Sequence, residues 1–221
     1  MEKKIIRSFT FDVNANNNEK YGDFIEGRAI VFDQPTNIGL FTEIIDRNAL
    51  KETDLRDVRF LVNHNTDMIP LARSRRNNEN STMQMVVGEE GMDIRANLDT
   101  ENNTDARALY SATKRGDISG MSFMMTVPED GEEWDFSDEK NAVRRITKIQ
   151  RIYEVSACTF PAYENGTSLE ARGDEEALEN AKSVLEKAKA EAEEKAERDA
   201  DINELTSLLN ELEANDDNQG N

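Results

Sequence analysis

Phe9, Phe11 and Val13 alternate with polar neighbours, and a similar period of two, or a short apolar run, marks Ala29 to Phe32, Val58 to Val62 and Met83 to Val87. Successive side chains of a strand take opposite faces, so each segment predicts a strand. Met83 to Val87, then Gly88-Glu89-Glu90-Gly91, then Met92 to Ala96 predicts a hairpin with a glycine-bounded turn. Two short helices are expected between strands. One covers Asn48 to Thr53; the other starts with Thr104 or Asp105 as N-cap, runs through Ala106, Leu109, Tyr110 and Ala112, and stops at Gly116. Strands Ile118 to Val127 and Val143 to Thr159 follow, separated by Pro128 to Asn141, an acidic stretch that reads as a long loop carrying Trp134. The pattern is that of a mainly β chain with a few helices, an α+β fold class.

The pattern then changes. All four prolines and ten of the eleven glycines lie at or before position 173, and from Asp174 onward Ala, Glu, Lys and Leu dominate. Leu178, Ala181, Leu185, Ala188 and Ala192 keep a three-four spacing, resumed in a shifted frame by Ile202, Leu205, Leu209 and Leu212. That predicts a helix with a narrow seam, readable either as a solvated helix or as a coiled coil. The chain therefore divides into a compact region, 1–172, and an acidic helical tail with a disordered end, 173–221.

Charge narrows the function classes. Forty-six acidic against 27 basic residues give a net −19, of which −11 falls on 173–221. Such a field repels nucleic acid and anionic lipid, so neither is an expected partner. The first residues lack the apolar stretch of a signal peptide, and no run approaches the ~18 apolar residues of a membrane span, so neither secretion nor membrane insertion is expected. A single cysteine and a single histidine offer no disulfide framework and no zinc-ligand cluster. No metal and no cofactor is expected.

Three places could carry chemistry. His64, in Val62-Asn63-His64-Asn65, follows a strand and could be displayed as a general base, although a polar loop histidine is the commoner reading. In Ile118 to Met125, Met121, Phe123 and Met125 share one strand face. Ser122 then points to the other face beside Gly120, where a substrate strand could approach, and Ser119 is the poorer nucleophile candidate. Most strand serines are merely tolerated small residues. Glu154 is the lone acid in Ile152 to Tyr163 and needs a partner. It could orient an imidazole, or pair with Arg144, Arg145 or Arg151. Cys158 is a second possible nucleophile, read as a buried inert thiol because its neighbours are apolar.

Taken in chain order, Asn63-His64-Asn65, Gly120-Met121-Ser122-Phe123 and Tyr153-Glu154-Val155-Ser156 running into Pro161-Ala162-Tyr163 resemble the prohead (capsid maturation) proteases of tailed bacteriophages. Gly27 to Phe32, Asn48-Ala49-Leu50 and Gly91-Met92 extend the resemblance over roughly residues 20 to 170. Met124-Met125 stand where the family often has Gly-Phe, and Ala72 where a glycine is common. The resemblance implies a serine endopeptidase with an assemblin-like β-barrel core. It would act inside the immature capsid, in the host cytoplasm, on scaffold, on capsid-protein prosegments and on itself. It makes His64 the base, Ser122 the nucleophile and Glu154 the acid, and an extended substrate would add as a strand to an exposed edge. The tail would serve self-association or contact with scaffold. A non-enzymatic scaffold protein is the reading from another class.

Overall fold

The computed structural model describes residues 4–10, 13–138, 141–159 and 175–217. In chain order the strands are β1 (Ile5–Thr10), β2 (Asn14–Asn18), β3 (Gly22–Val31), β4 (Thr36–Asn37), β5 (Thr42–Ile45), β6 (Asp57–Val62) and β7 (Ala72–Arg75). There follow β8 (Met83–Val87), β9 (Gly91–Asn97), helix α1 (Thr104–Arg115), β10 (Gly120–Thr126), β11 (Glu132–Asp135), β12 (Val143–Ile146), β13 (Arg151–Cys158) and helix α2 (Glu175–Asp217). The molecule is mainly β with two helices. Its strands form three open sheets, ordered β1-β10-β13-β6-β7, β11-β12-β5-β4 and β2-β3-β9-β8. None of them closes on itself among the described residues, so the single barrel implied by the resemblance is not what the hydrogen bonding draws.

Four local expectations are corrected. The strand expected over Val143 to Thr159 is two, β12 and β13, in different sheets. Residues Asn48 to Thr53 make turns, with Lys51 N–H donating to the Asn48 carbonyl and Thr53 N–H to that of Leu50, and do not extend into a helix. The α1 N-cap is Asn103, ahead of both expected candidates Thr104 and Asp105, and its side-chain oxygen accepts from Asp105 N–H at 2.9 Å and Ala106 N–H at 3.2 Å. Its end at Gly116, with φ of 81°, is as the sequence predicts. The stretch 128–141 is not all loop, because β11 pairs with β12 and places Trp134 edge-on to Phe41 at 5.0 Å. The hairpin β8–β9 forms in the predicted register, and Gly91 leaves no room for a side chain: a Cβ there would lie 1.9 Å from the Ile30 carbonyl oxygen.

Contacts divide the chain into Met1–Glu179 and Asn180–Asn221. The first unit holds a core that includes Ile25, Ile30, Val58, Phe60, Met83, Met92, Met121, Phe123, Met125 and Val155. These residues come from the alternating positions of strands in more than one sheet, the arrangement by which sheets bury one face each. In the second, the helix carries exposed pairs such as Lys187–Glu191, and Ile202 and Leu205 are exposed. No helix among the described residues is long and apolar enough to cross a membrane.

Candidate active site

Two strands lie parallel at the centre of the five-stranded sheet, and this brings the site together. β6 runs beside β13 with Val62 opposite Ala157, so the chain leaves β6 next to the end of β13. There it turns sharply. Asn63 and His64 both have positive φ, 50° and 59°, a conformation that costs roughly 1–3 kcal/mol per non-glycine residue and persists only where the surroundings enforce it. Asn63 enforces it. Its N–H donates to the Ala157 carbonyl at 3.0 Å, its side-chain amide donates to Thr159 Oγ1 at 3.0 Å, and its side-chain oxygen accepts from Thr159 N–H at 2.9 Å. The turn aims His64 back along β13.

Alternation along β13 decides what the ring meets. Val155 and Ala157 enter the core, so Glu154, Ser156 and Cys158 share the opposite face. His64 Nδ1 is 2.6 Å from Glu154 Oε1. The Ser156 hydroxyl donates to Glu154 Oε2 at 2.5 Å and accepts from His64 N–H at 3.1 Å. Glu154 is thus held on both oxygens, and a carboxylate facing Nδ1 favours the tautomer whose lone pair is on Nε2. That nitrogen faces Cys158 Sγ at 4.0 Å. Burial opposes charge on the ring, but the contacts to Cys158 and Glu154 outweigh it and hold the His64 pKa up at about 9.

The arginines that could have claimed Glu154 are engaged elsewhere. Arg144 binds Glu43 and Glu132, Arg145 binds Asp33 and Asp46, and Arg151 lies 3.8 Å from Asp54. Arg73 of β7 likewise pairs with Asp57.

β10 carries Ser122 directly opposite Ser156, with Gly120 opposite Cys158. Met121, Phe123 and Met125 fill the core, so Ser122 shares the face of Glu154 and Ser156, one strand spacing of about 4.8 Å from β13. It is fully buried, at 0% exposure, and its hydroxyl donates to the Arg7 carbonyl of β1 at 2.8 Å. Ser119 lies just before β10 and is half-buried. His64 and Glu154 are therefore in direct contact, while the Ser122 hydroxyl leans toward β1. Phe160 to Tyr163 lie outside the described residues.

Sequence reasoning missed the part played by Ser156, although the period of two from Glu154 signalled it. It also missed a buried ionic cluster. Arg7 and Arg144 both hold Glu43, at 2.6 Å from Arg7 Nη2 and 2.9 Å from Arg144 Nη1, and Arg144 Nε reaches Glu132 at 2.7 Å. No local pattern joins residues so far apart in the chain. No group of three or more His, Cys, Asp or Glu among the described residues is placed to hold a metal ion.

A histidine oriented by a buried carboxylate, beside a strand that presents a serine on the same face, is a set of groups suited to acyl transfer. Comparison with known proteins carries the assignment further. The profile of the caudovirus prohead serine proteases matches residues 9–182, and the chain belongs to that family. It is 29% identical over 167 residues to the prohead protease of Enterobacteria phage HK97, covering 73% of this chain and 66% of that protein, so it spans just under two thirds of the relative's length. The bacteriophage T4 capsid assembly protease superposes with a TM-score of 0.43 at 13% identity, over 72% of this chain and 98% of that one. At that level the likeness says nothing about the site.

Proposed function

We propose that this chain is a serine endopeptidase of capsid maturation, cleaving capsid-protein prosegments, scaffold and itself inside the immature capsid in the host cytoplasm. The contact of His64 Nδ1 with Glu154, on the sheet face shared with Ser122, carries this reading. His64 Nε2 takes the proton of Ser122 as its oxygen bonds to the scissile carbonyl carbon; the amine leaves with that proton, and water then releases the acyl group by the same route. Glu154 holds the ring and balances its charge, and Ser156 holds Glu154. Turning the Ser122 O–H away from the Arg7 carbonyl would direct its proton toward β13.

Residues 1–172 form the catalytic part in this reading. Residues 173–221, with exposed Ile202 and Leu205 and a charge of −11, serve incorporation through weak association with themselves or with scaffold. The expected self-cleavage zone around Gly166 and Gly173 lies outside the described residues.

A second reading rests on one distance, that of Cys158 Sγ from Nε2. It would make the thiol the nucleophile. Purified chain should cleave a capsid-precursor substrate and take up a fluorophosphonate at Ser122. Ser122→Ala should lose both while Cys158→Ala keeps both, and the opposite outcome would move the chemistry to Cys158. Cleavage unaffected by either substitution would leave a scaffold protein.

A further inference from the structure

Substrate added as a strand needs a free sheet edge within reach of the nucleophile. In this molecule that edge is taken. β10 is flanked by β13 on one side and β1 on the other, and β1 pairs with it antiparallel from Ile5–Met125 to Thr10–Gly120, with Ser8 opposite Ser122. The other edge of the sheet is β7, three strand spacings or roughly 14 Å from β10, too far to deliver a carbonyl to Ser122.

The contact at the centre of this pairing is specific. Ser122 donates to the Arg7 carbonyl at 2.8 Å, so the hydroxyl proton goes to a backbone oxygen rather than to His64. The guanidinium of Arg7 holds Glu43 of another sheet through Nε and through Nη2, the latter at 2.6 Å, with both side chains buried. Glu43 is also bonded by Arg144. Removal of Arg7 would leave a second cationic site of this carboxylate unfilled, which is unfavourable in a buried place.

We propose that β1 is a resident occupant of the substrate-strand site, and that the peptide which displaces it is extended and carries Arg or Lys at the residue whose carbonyl meets Ser122, its cation taking the place of Arg7 on Glu43. The inference rests on Ser122 being the nucleophile. Apparent affinity and reactivity then scale with the fraction of chains in which β1 has left, so weakening the Arg7 anchor increases both.

The test reads covalent labelling of Ser122 in the full chain by a fluorophosphonate. Arg7→Ala should speed labelling by about tenfold, and Arg7→Lys, which keeps the charge but not the paired contact, by less. Added to Arg7→Ala, or to Arg7→Lys if the alanine variant does not fold by circular dichroism, the peptide Lys-Ile-Ile-Arg-Ser-Phe-Thr should protect Ser122. The same peptide with Glu in place of Arg should not. Labelling of folded variants at the wild-type rate, or equal protection by both peptides, overturns the proposal and leaves the protease reading intact. No labelling of Ser122 in any chain overturns both.

Discussion

Glu154 and Glu43 are two buried strand carboxylates with opposite company. Glu154 meets a histidine, which can gain and lose a proton, and a hydroxyl that donates to it. Glu43 meets two guanidinium groups, which cannot. Burial pushes the Glu43 carboxyl up, but Arg7 and Arg144 outweigh it and hold the pKa below the ordinary range. One acid is thus set in a circuit able to move a proton, and the other in a fixed ionic tie between β1, β5 and β12. A buried carboxylate is costly in either place, and its partners decide whether it orients a reacting group or joins elements.

The widest separation between the two clusters should appear in catalysis. Ser122→Ala and His64→Ala should each reduce cleavage by about 10⁵-fold or more while circular dichroism stays native, since each removes a member of a cooperating unit. Glu154→Gln should cost roughly 10⁴-fold through loss of the ring's tautomer and orientation. Wild-type rates in the two alanine variants would remove the contrast altogether.

Stability should reverse the order. Glu43→Gln leaves Arg7 and Arg144 without their shared buried anion and should destabilise by about 3–5 kcal/mol in urea unfolding, most of it absent from Glu154→Gln. Similar losses in the two variants would mean that the Glu154 contacts are as structural as those of Glu43.

The pH dependences should also diverge. His64 is raised above its unfolded value, so its contribution to stability is fully present below about pH 6.5 and is lost as pH rises toward about 9. Cleavage should climb over that same interval, because the base works only when unprotonated. Glu43 is lowered, so its contribution is present above about pH 4.3 and is lost as pH falls through the folded value. His64→Gln should flatten the alkaline slope of unfolding free energy and leave the acid one. A flat cleavage profile from pH 6.5 to 9 would contradict the assignment of His64 as base.

Smaller effects sharpen the edges of the comparison. Cys158→Ala should keep cleavage within about threefold and bring the rise in rate to lower pH, as one of the contacts raising His64 is removed. The exposed Lys187–Glu191 pair of α2 should matter least, with Lys187→Ala changing helix stability by about 0.3–0.5 kcal/mol and less at high salt.

Periodicity by itself determined much of this molecule. Alternation put Ser122 opposite Met121 and Phe123 in facing, and the same rule placed Glu154, Ser156 and Cys158 together, because side-chain direction in a strand is a local property of the backbone. The hairpin at Gly88 to Gly91, the Gly116 stop and the change to helix after residue 173 were equally legible, each depending on neighbours a few residues away. Tertiary structure alone decided the rest. That Glu154 is answered by His64 and not by an arginine follows from the parallel pairing of β6 with β13 and the engagement of Arg144, Arg145 and Arg151 with other acids. That the Arg7 carbonyl of β1 accepts from Ser122, and that Arg7 reaches Glu43, depends on contacts between residues 115 and 36 positions apart. Such pairings are chosen by the competition of whole strands for edges and of buried charges for partners, and no window of sequence contains both competitors.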